Sequence, residues 1–149
     1  MKLIRTQQKG LTEIEVEIRY AQMDATVLDL IKHIEKRKYF VHGMDNGRQY
    51  KIEISDIYYA ESVDKKTFIY TKSAVFRSEL RLYQLCEILK GYDFIQVSKS
   101  CIINMNILES IRSLINSRLE ATLINGEKIN VSRTYLIDIK AAFTSKEDK

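Results

Sequence analysis

The apolar positions change their spacing along this chain, and each spacing predicts a different element. Residues 13–20, Glu13-Ile14-Glu15-Val16-Glu17-Ile18-Arg19-Tyr20, alternate charged with apolar side chains at period two, which predicts a strand with one wet face. Asp24 then stands where a helix cap is favoured, and Val27, Leu30, Ile31 and Ile34 fall on one helical face. A helix over 25–37 is expected, with an apolar stripe that needs a sheet to cover. From Tyr39 onward the pattern breaks into short β-rich runs. Strands are predicted at 39–42 and 49–54 around Asn46-Gly47, a dipeptide suited to a two-residue hairpin because both central positions need positive φ. Runs 57–61 and 67–71 read as two more strands, joined by Ser62-Val63-Asp64-Lys65-Lys66, whose tip projects two cations together. Residues 74–77 make a further strand.

Ser78 is placed to cap a second helix over 79–90, in which Leu82, Leu85, Cys86 and Leu89 repeat at three- and four-residue steps, and Gly91 to stop it. Short Ile-, Val- and Leu-rich strands are predicted at 94–97, 101–103, 107–112 and 118–124, after which Asn125-Gly126 turns the chain into 127–131. Ser132 can cap a short last helix through Tyr135, Leu136, Ile139 and Phe143, before a polar tail, 144–149, that is expected to fray. About ten short strands and two or three helices, with strands dominating from Tyr39 onward, predict a mainly β or α+β fold.

Composition narrows the function classes more than it selects one. The chain has 149 residues, 45% hydrophobic and 30% charged, which suits one globular core. Its longest uninterrupted apolar run is the four residues 57–60, against the roughly 20 that a spanning helix needs, and its N-terminus is charged and polar. A cytoplasmic protein is expected. Two cysteines, Cys86 and Cys101, and two histidines, His33 and His42, make no metal-ligand spacing, and both thiols fit the role of small buried hydrophobes. None of the five glycines forms a phosphate-binding loop, and neither histidine stands in a motif with a nucleophile. No enzyme, metal, cofactor or small-molecule substrate is therefore expected. A net charge of +4, from 24 Lys and Arg against 20 Asp and Glu, permits an anionic partner without diagnosing one.

The informative stretch is Phe94-Ile95-Gln96-Val97-Ser98-Lys99-Ser100-Cys101-Ile102-Ile103-Asn104. An apolar strand runs into Ser98-Lys99-Ser100, one cation between two hydroxyls, and returns at once to an apolar strand. Hydroxyls can donate to phosphate oxygens and lysine to guanine O6 or N7, while the flanking strands hold the loop rigid. A solvated hairpin turn explains the same cluster equally well.

Read with its neighbours, the stretch resembles the LytTR family of bacterial DNA-binding domains, whose motif takes the form F-x-R-x-H-R-S-x-L-V-N. Here the motif stands as Phe94, Gln96, Ser98, Lys99, Ser100, Ile102, Ile103 and Asn104. Three further landmarks agree in order: Asp56-Ile57-Tyr58-Tyr59-Ala60-Glu61 followed by Asp64-Lys65-Lys66, the helix with Leu82, Leu85 and Leu89, and an Asn-Gly hairpin followed by Val131-Ser132-Arg133-Thr134-Tyr135. The resemblance implies an elongated set of small antiparallel sheets with two or three short helices, presenting loops to successive major grooves of double-stranded DNA. It implies base contacts from Lys65 or Lys66, from Ser98 and Lys99, and from Arg133, with Gln96 and Ser100 positioning the backbone or bracing the loop. From the residues alone, the three lysines are equally well solvated surface charges, and Arg133 a donor to carbonyls of its own helix cap. Where relatives carry Arg and His-Arg, this chain has Gln96 and Ser98-Lys99, so its counterion-release contribution should be smaller and its preferred bases its own.

The expected organisation is a strand-helix extension over 1–38 and a LytTR-like DNA-binding domain over 39–145. The 38 residues before Tyr39 are too short for the receiver domain that many relatives carry, so a stand-alone regulator is expected. The resemblance makes a homodimer on repeated half-sites and a membrane-protein regulator reasonable partners. The competing expectation is a protein-interaction or adaptor domain that binds no DNA, which weak salt dependence of binding would reveal.

Overall fold

A computed structural model describes residues 1–35 and 40–147. The chain divides into two compact units, Met1–Arg37 and Lys38–Lys149. In the first, helix α1 (Ala25–Glu35) begins where expected, because Asp24 Oδ1 accepts the orphan N–H of Val27 at 2.9 Å. Val27 is buried, Leu30 and Ile31 are half-buried and Ile34 is exposed; Lys36 and Arg37, the end of the expected helix, lie outside the described residues. The strand expected at 13–20 is not formed. Ile14 and Val16 are 83% and 60% exposed, and among the described residues no ladder partner lies beside the segment. Alternation marks two faces, but a strand also needs neighbouring N–H and C=O groups to satisfy its own.

The second unit contains the β structure. Strands β1 (Phe40–Asp45) and β2 (Arg48–Glu53) form the hairpin that Asn46-Gly47 predicts, with φ of 48° and 75° at its two central residues. Tyr39, expected to open β1, lies outside the described residues. Strands β3 (Ile57–Val63) and β4 (Lys66–Thr71) are joined more tightly than the sequence suggests. Val63 pairs with Lys66, so the connection is the two residues Asp64-Lys65, both with positive φ, and not the five expected. After β5 (Val75–Ser78), helix α2 (Leu82–Leu89) starts later than expected. Ser78 is the buried end of a strand and its hydroxyl accepts from Leu80 N. The helix start is held instead by Gln84 Oε1, which accepts from Arg81 N at 2.9 Å. The helix ends by Gly91, yet the left-handed residue after it is Asp93.

Strands β6 (Phe94–Ser98) and β7 (Cys101–Asn104) complete a seven-stranded antiparallel sheet in the order β2-β1-β5-β4-β3-β7-β6. Strands β8 (Leu108–Ser113), β9 (Leu119–Leu123) and β10 (Lys128–Val131) form a second, three-stranded sheet. The last helix, α3 (Leu136–Glu147), is entered through a tight turn at Arg133–Tyr135 that Ser132 does not cap, its hydroxyl donating instead to Val97 O. It continues over 144–147 of the segment expected to fray, where the Thr144 hydroxyl donates to Lys140 O and the Ser145 hydroxyl to Ala142 O; 148–149 lie outside the described residues.

Both faces of the large sheet are covered. On one, Ala60, Ile69 and Ile102 pack under Leu82, Leu85 and Leu89 of α2; on the other, Tyr59, Cys101 and Ile103 pack against Leu119, Ala121 and Leu123 of the small sheet and Ile139 of α3. Leu85 and Leu89 are fully buried, which contributes about 1.5–3 kcal/mol each relative to exposure. Close approach fixes one glycine: a Cβ on Gly43 would sit 2.5 Å from Ile52 Cδ1 and 2.6 Å from Phe76 Cβ. The mainly β fold with three helices is thus the one the sequence predicts.

Candidate nucleic-acid interface

The seven sequence-predicted site residues fall on three segments, and the strand pairing decides which of these come together. Lys65 occupies the β3–β4 turn and Lys66 opens β4. Ser98 closes β6 and pairs with Cys101, which leaves Lys99-Ser100 as a two-residue turn. Strands β3 and β7 are antiparallel neighbours, with Glu61 opposite Cys101, so the Asp64-Lys65 tip and the Lys99-Ser100 turn lie at the same end of the sheet. Ser62 N donates to Ser100 O at 2.8 Å and ties the two together. Arg133 follows β10, and the preceding residue donates from Ser132 N to Val97 O at 2.9 Å, beside the start of the Ser98 turn. The three segments therefore meet along one edge.

Lys65, Lys66, Lys99, Ser100 and Arg133 are exposed and Ser98 is half-buried. Among the described residues none of these four cations has a carboxylate within ion-pair distance. Asp64 is the acid on the tip itself; the Glu61 carboxylate behind it accepts the Tyr70 hydroxyl at 2.5 Å. Ser98 Oγ accepts from Ser100 N at 3.2 Å and lies 3.4 Å from Ser100 Oγ, so both hydroxyls brace the turn as well as line it. Gln96 is not brought to this edge. It pairs across the sheet with Ile102 and shares that residue's α2-facing side, beside Cys86 and Lys90.

Arg133 donates from Nη2 to Asn116 O at 3.1 Å, not to its own helix cap. Asn116 and Ser117 both have positive φ, in a β8–β9 loop closed by Leu114 N donating to Arg118 O. A second guanidinium does the same for the other end of the edge: Arg81 Nη1 donates to Lys65 O at 3.1 Å. Sequence reasoning missed Arg81 and Asn116, and no local signal marks them, because their bonds span 16 and 17 residues. The last motif residue, Asn104, is structural. It is buried, with Nδ2 donating to Ile57 O and Oδ1 accepting from Asn106 N, both at 2.9 Å. Behind the edge, burial pushes the Cys101 thiol up to about 12 and the Tyr70 phenol likewise to about 12, the latter helped by Glu61. Both stay neutral at physiological pH, so neither offsets the cations in front of them.

A β framework that gathers unpaired cations on short, hydrogen-bonded turns along one edge defines a class: a nucleic-acid-binding domain. The comparisons name the family. The LytTr DNA-binding domain model matches residues 47–144, and the chain belongs to that family, which is one of DNA-binding domains and not of enzymes. Sensory transduction protein LytT of Bacillus anthracis is 28% identical over 140 residues, covering 94% of this chain and 52% of the relative. LytT of Enterococcus faecalis is 28% identical over 67% of this chain and 40% of its own length. The chain thus spans about half or less of these relatives. An uncharacterised HTH-type transcriptional regulator of Staphylococcus aureus is 28% identical over 87% of this chain and 88% of its own length. Among solved structures, the LytTr DNA-binding domain of a Bacillus cereus methyl-accepting/DNA response regulator shares the fold, with TM-score 0.67 and 24% identity over 70% of this chain and 96% of that one.

Proposed function

We propose that this protein is a bacterial transcriptional regulator that binds double-stranded DNA with sequence specificity. One of Lys65 and Lys66 enters the major groove together with Ser98, Lys99 and Arg133, Ser100 braces the turn, and Gln96 supports β6 from the α2 side. The observation that carries the reading is the pair of backbone bonds, Ser62 N to Ser100 O and Ser132 N to Val97 O, which draws three cation-bearing segments to one edge. Lysine and arginine suit guanine O6 and N7, and a good bidentate pair contributes about 1–3 kcal/mol of discrimination. Residues 39–145 form the DNA-binding domain and 1–38 an extension of it. One module offers limited contact area, so two copies on repeated half-sites supply affinity through effective concentration. We further propose a membrane-protein partner as the regulator and the cytoplasm as the site of action.

The test is selection of bound genomic fragments by the purified chain, repeated with Lys99→Ala and Arg133→Ala over a salt series. A repeated motif, lost or relaxed in both variants, is the expected result. Binding that shows no enrichment, or that is indifferent to salt, would overturn the reading in favour of a protein-interaction domain.

A further inference from the structure

Strand β5 stops at Ser78, whereas β1, its neighbour, continues past the Met44–Arg77 pair to Phe40. Over that overhang β1 keeps β2 on one side, while on the other the chain leaves the sheet through Ser78, Glu79 and Leu80 towards α2. The space left open is a cavity of about 370 Å³, lined mainly by Phe40, Val41, Met44, Leu80 and Ile88, with His42, Gln49, Arg77, Ser78 and Glu79 as its polar groups. This lies within the range of small-molecule sites, which are apolar pockets carrying a few placed polar groups.

Its position beside the cationic edge gives it a chemistry. Met44, Arg77 and Leu80 also line a second, more polar cleft of about 500 Å³, together with Lys65, Lys66 and Arg81. The two hollows share Met44, Arg77, Glu79 and Leu80; the first is mainly apolar, and the second carries four cations against the single carboxylate of Glu79. Among the described residues none of the four is in an ion pair, and Arg81 spends one N–H on Lys65 O. A ligand that satisfies both hollows has an apolar chain and an anionic head. A guanidinium at the junction favours a carboxylate, which it can hold through two parallel bonds.

We infer that the cavity between β1 and α2 is a binding site for an amphipathic carboxylate, its chain among Met44, Leu80 and Ile88 and its head on Arg77 facing Lys65, Lys66 and Arg81. The site does not depend on the DNA-binding reading; only its consequence does. A bound carboxylate would neutralise part of the charge that Lys65 and Lys66 bring to the phosphate backbone, and so weaken DNA binding.

Methyl-resolved NMR of the full 149-residue chain, titrated with decanoate and with decanol below their aggregation concentrations, tests the inference. Decanoate should give saturable one-site shifts centred on Met44, Leu80 and Ile88, and decanol should bind roughly tenfold more weakly. Arg77→Gln should bring decanoate to the level of decanol and leave decanol unchanged, while Ile88→Phe, which fills the cavity, should weaken both. The inference is overturned by the absence of saturable shifts, by shifts spread over the whole surface, or by equal binding of the two probes to the unsubstituted protein. That last comparison needs no variant and so does not depend on any variant folding. A parallel DNA titration separates the two readings: decanoate binding by a chain that ignores DNA sustains this site and sinks the DNA reading, and the reverse result does the opposite.

Discussion

Arg133→Lys separates reading from charge at the candidate interface. The guanidinium has five N–H donors, and the structure commits one, at Nη2, to Asn116 O at 3.1 Å. Four remain, enough for a parallel pair to guanine O6 and N7 while the loop bond persists. Lysine keeps the positive charge but offers three diverging donors, so it cannot hold Asn116 and make a bidentate base contact together. The expected loss on the selected DNA site is therefore that of one bidentate pair, about 1–3 kcal/mol or roughly 5- to 150-fold in affinity. Because no charge is lost, the dependence of binding on salt should not change. Lys66→Ala provides the contrast: losing one cation from the interface should lower the slope of log affinity against log salt by about 0.9. Fluorescence anisotropy with both duplexes over a chloride series measures both quantities. Equal loss on the scrambled duplex, or a slope changed by about 0.9 in Arg133→Lys, would refute a base-reading role for Arg133.

The remaining expectations concern the framework. Asn104→Ala should leave the buried Ile57 carbonyl without its donor and cost about 1–3 kcal/mol in urea unfolding, whereas a DNA contact at this position would change affinity with stability intact. Tyr70 is pushed up to about 12, first by burial and then by its bond to Glu61, and burial and Glu127 move Tyr59 in the same direction. As pH rises from about 10 to about 12 the unfolded chain gives up its phenolic protons before the folded one, so stability should fall across that window. A Tyr59→Phe, Tyr70→Phe double variant should flatten the decline; an unchanged decline in the urea midpoint would remove the tyrosines as its cause. Cys101, 7% exposed and pushed up to about 12 by burial, should react with a disulfide reagent only as the protein unfolds, and fast labelling of the native state would contradict the packing described.

Much of the β topology is legible because its signals are local. Asn46-Gly47 predicts its own hairpin, since the turn needs positive φ twice and these residues adopt it at little cost. Asp64-Lys65 makes an equally tight turn without glycine, and so reads from sequence as a longer loop. The period-two pattern of residues 13–20 is stronger than that of most real strands here, yet it forms none, because alternation says nothing about whether a partner strand exists. Ser78 has the right residue type for a cap but serves a strand end instead, its hydroxyl taken by Leu80 N. The candidate site divides in the same way. Which residues carry charge and hydroxyls is written in the motif, whereas their convergence is made by bonds such as Ser132 N to Val97 O, 35 positions apart, and Gln96 is diverted to the α2 side by the pleat.

On the proposed reading, that convergence also bears on how the edge would hold DNA with few cations. Side chains delivered from mobile loops lose conformational freedom on binding, about 0.5–1.5 kcal/mol for each long side chain ordered and more where the backbone must also settle. Here the backbone has already settled. Lys65 is held by its own carbonyl through Arg81, the Lys99-Ser100 turn through Ser62, and the loop beside Arg133 through Arg133 itself. Only side-chain rotamers would remain to be fixed on binding, which would offset part of the charge lost where the family's Arg and His-Arg are Gln96 and Ser98-Lys99. It follows that the bracing residue Arg81 is as informative to substitute as any residue proposed for the groove. Arg81→Gln should weaken DNA binding by more than the loss of one charge, because it frees the Lys65 turn as well. A change in salt slope of about 0.9, with no affinity loss beyond that slope, would show that the turn is rigid without it.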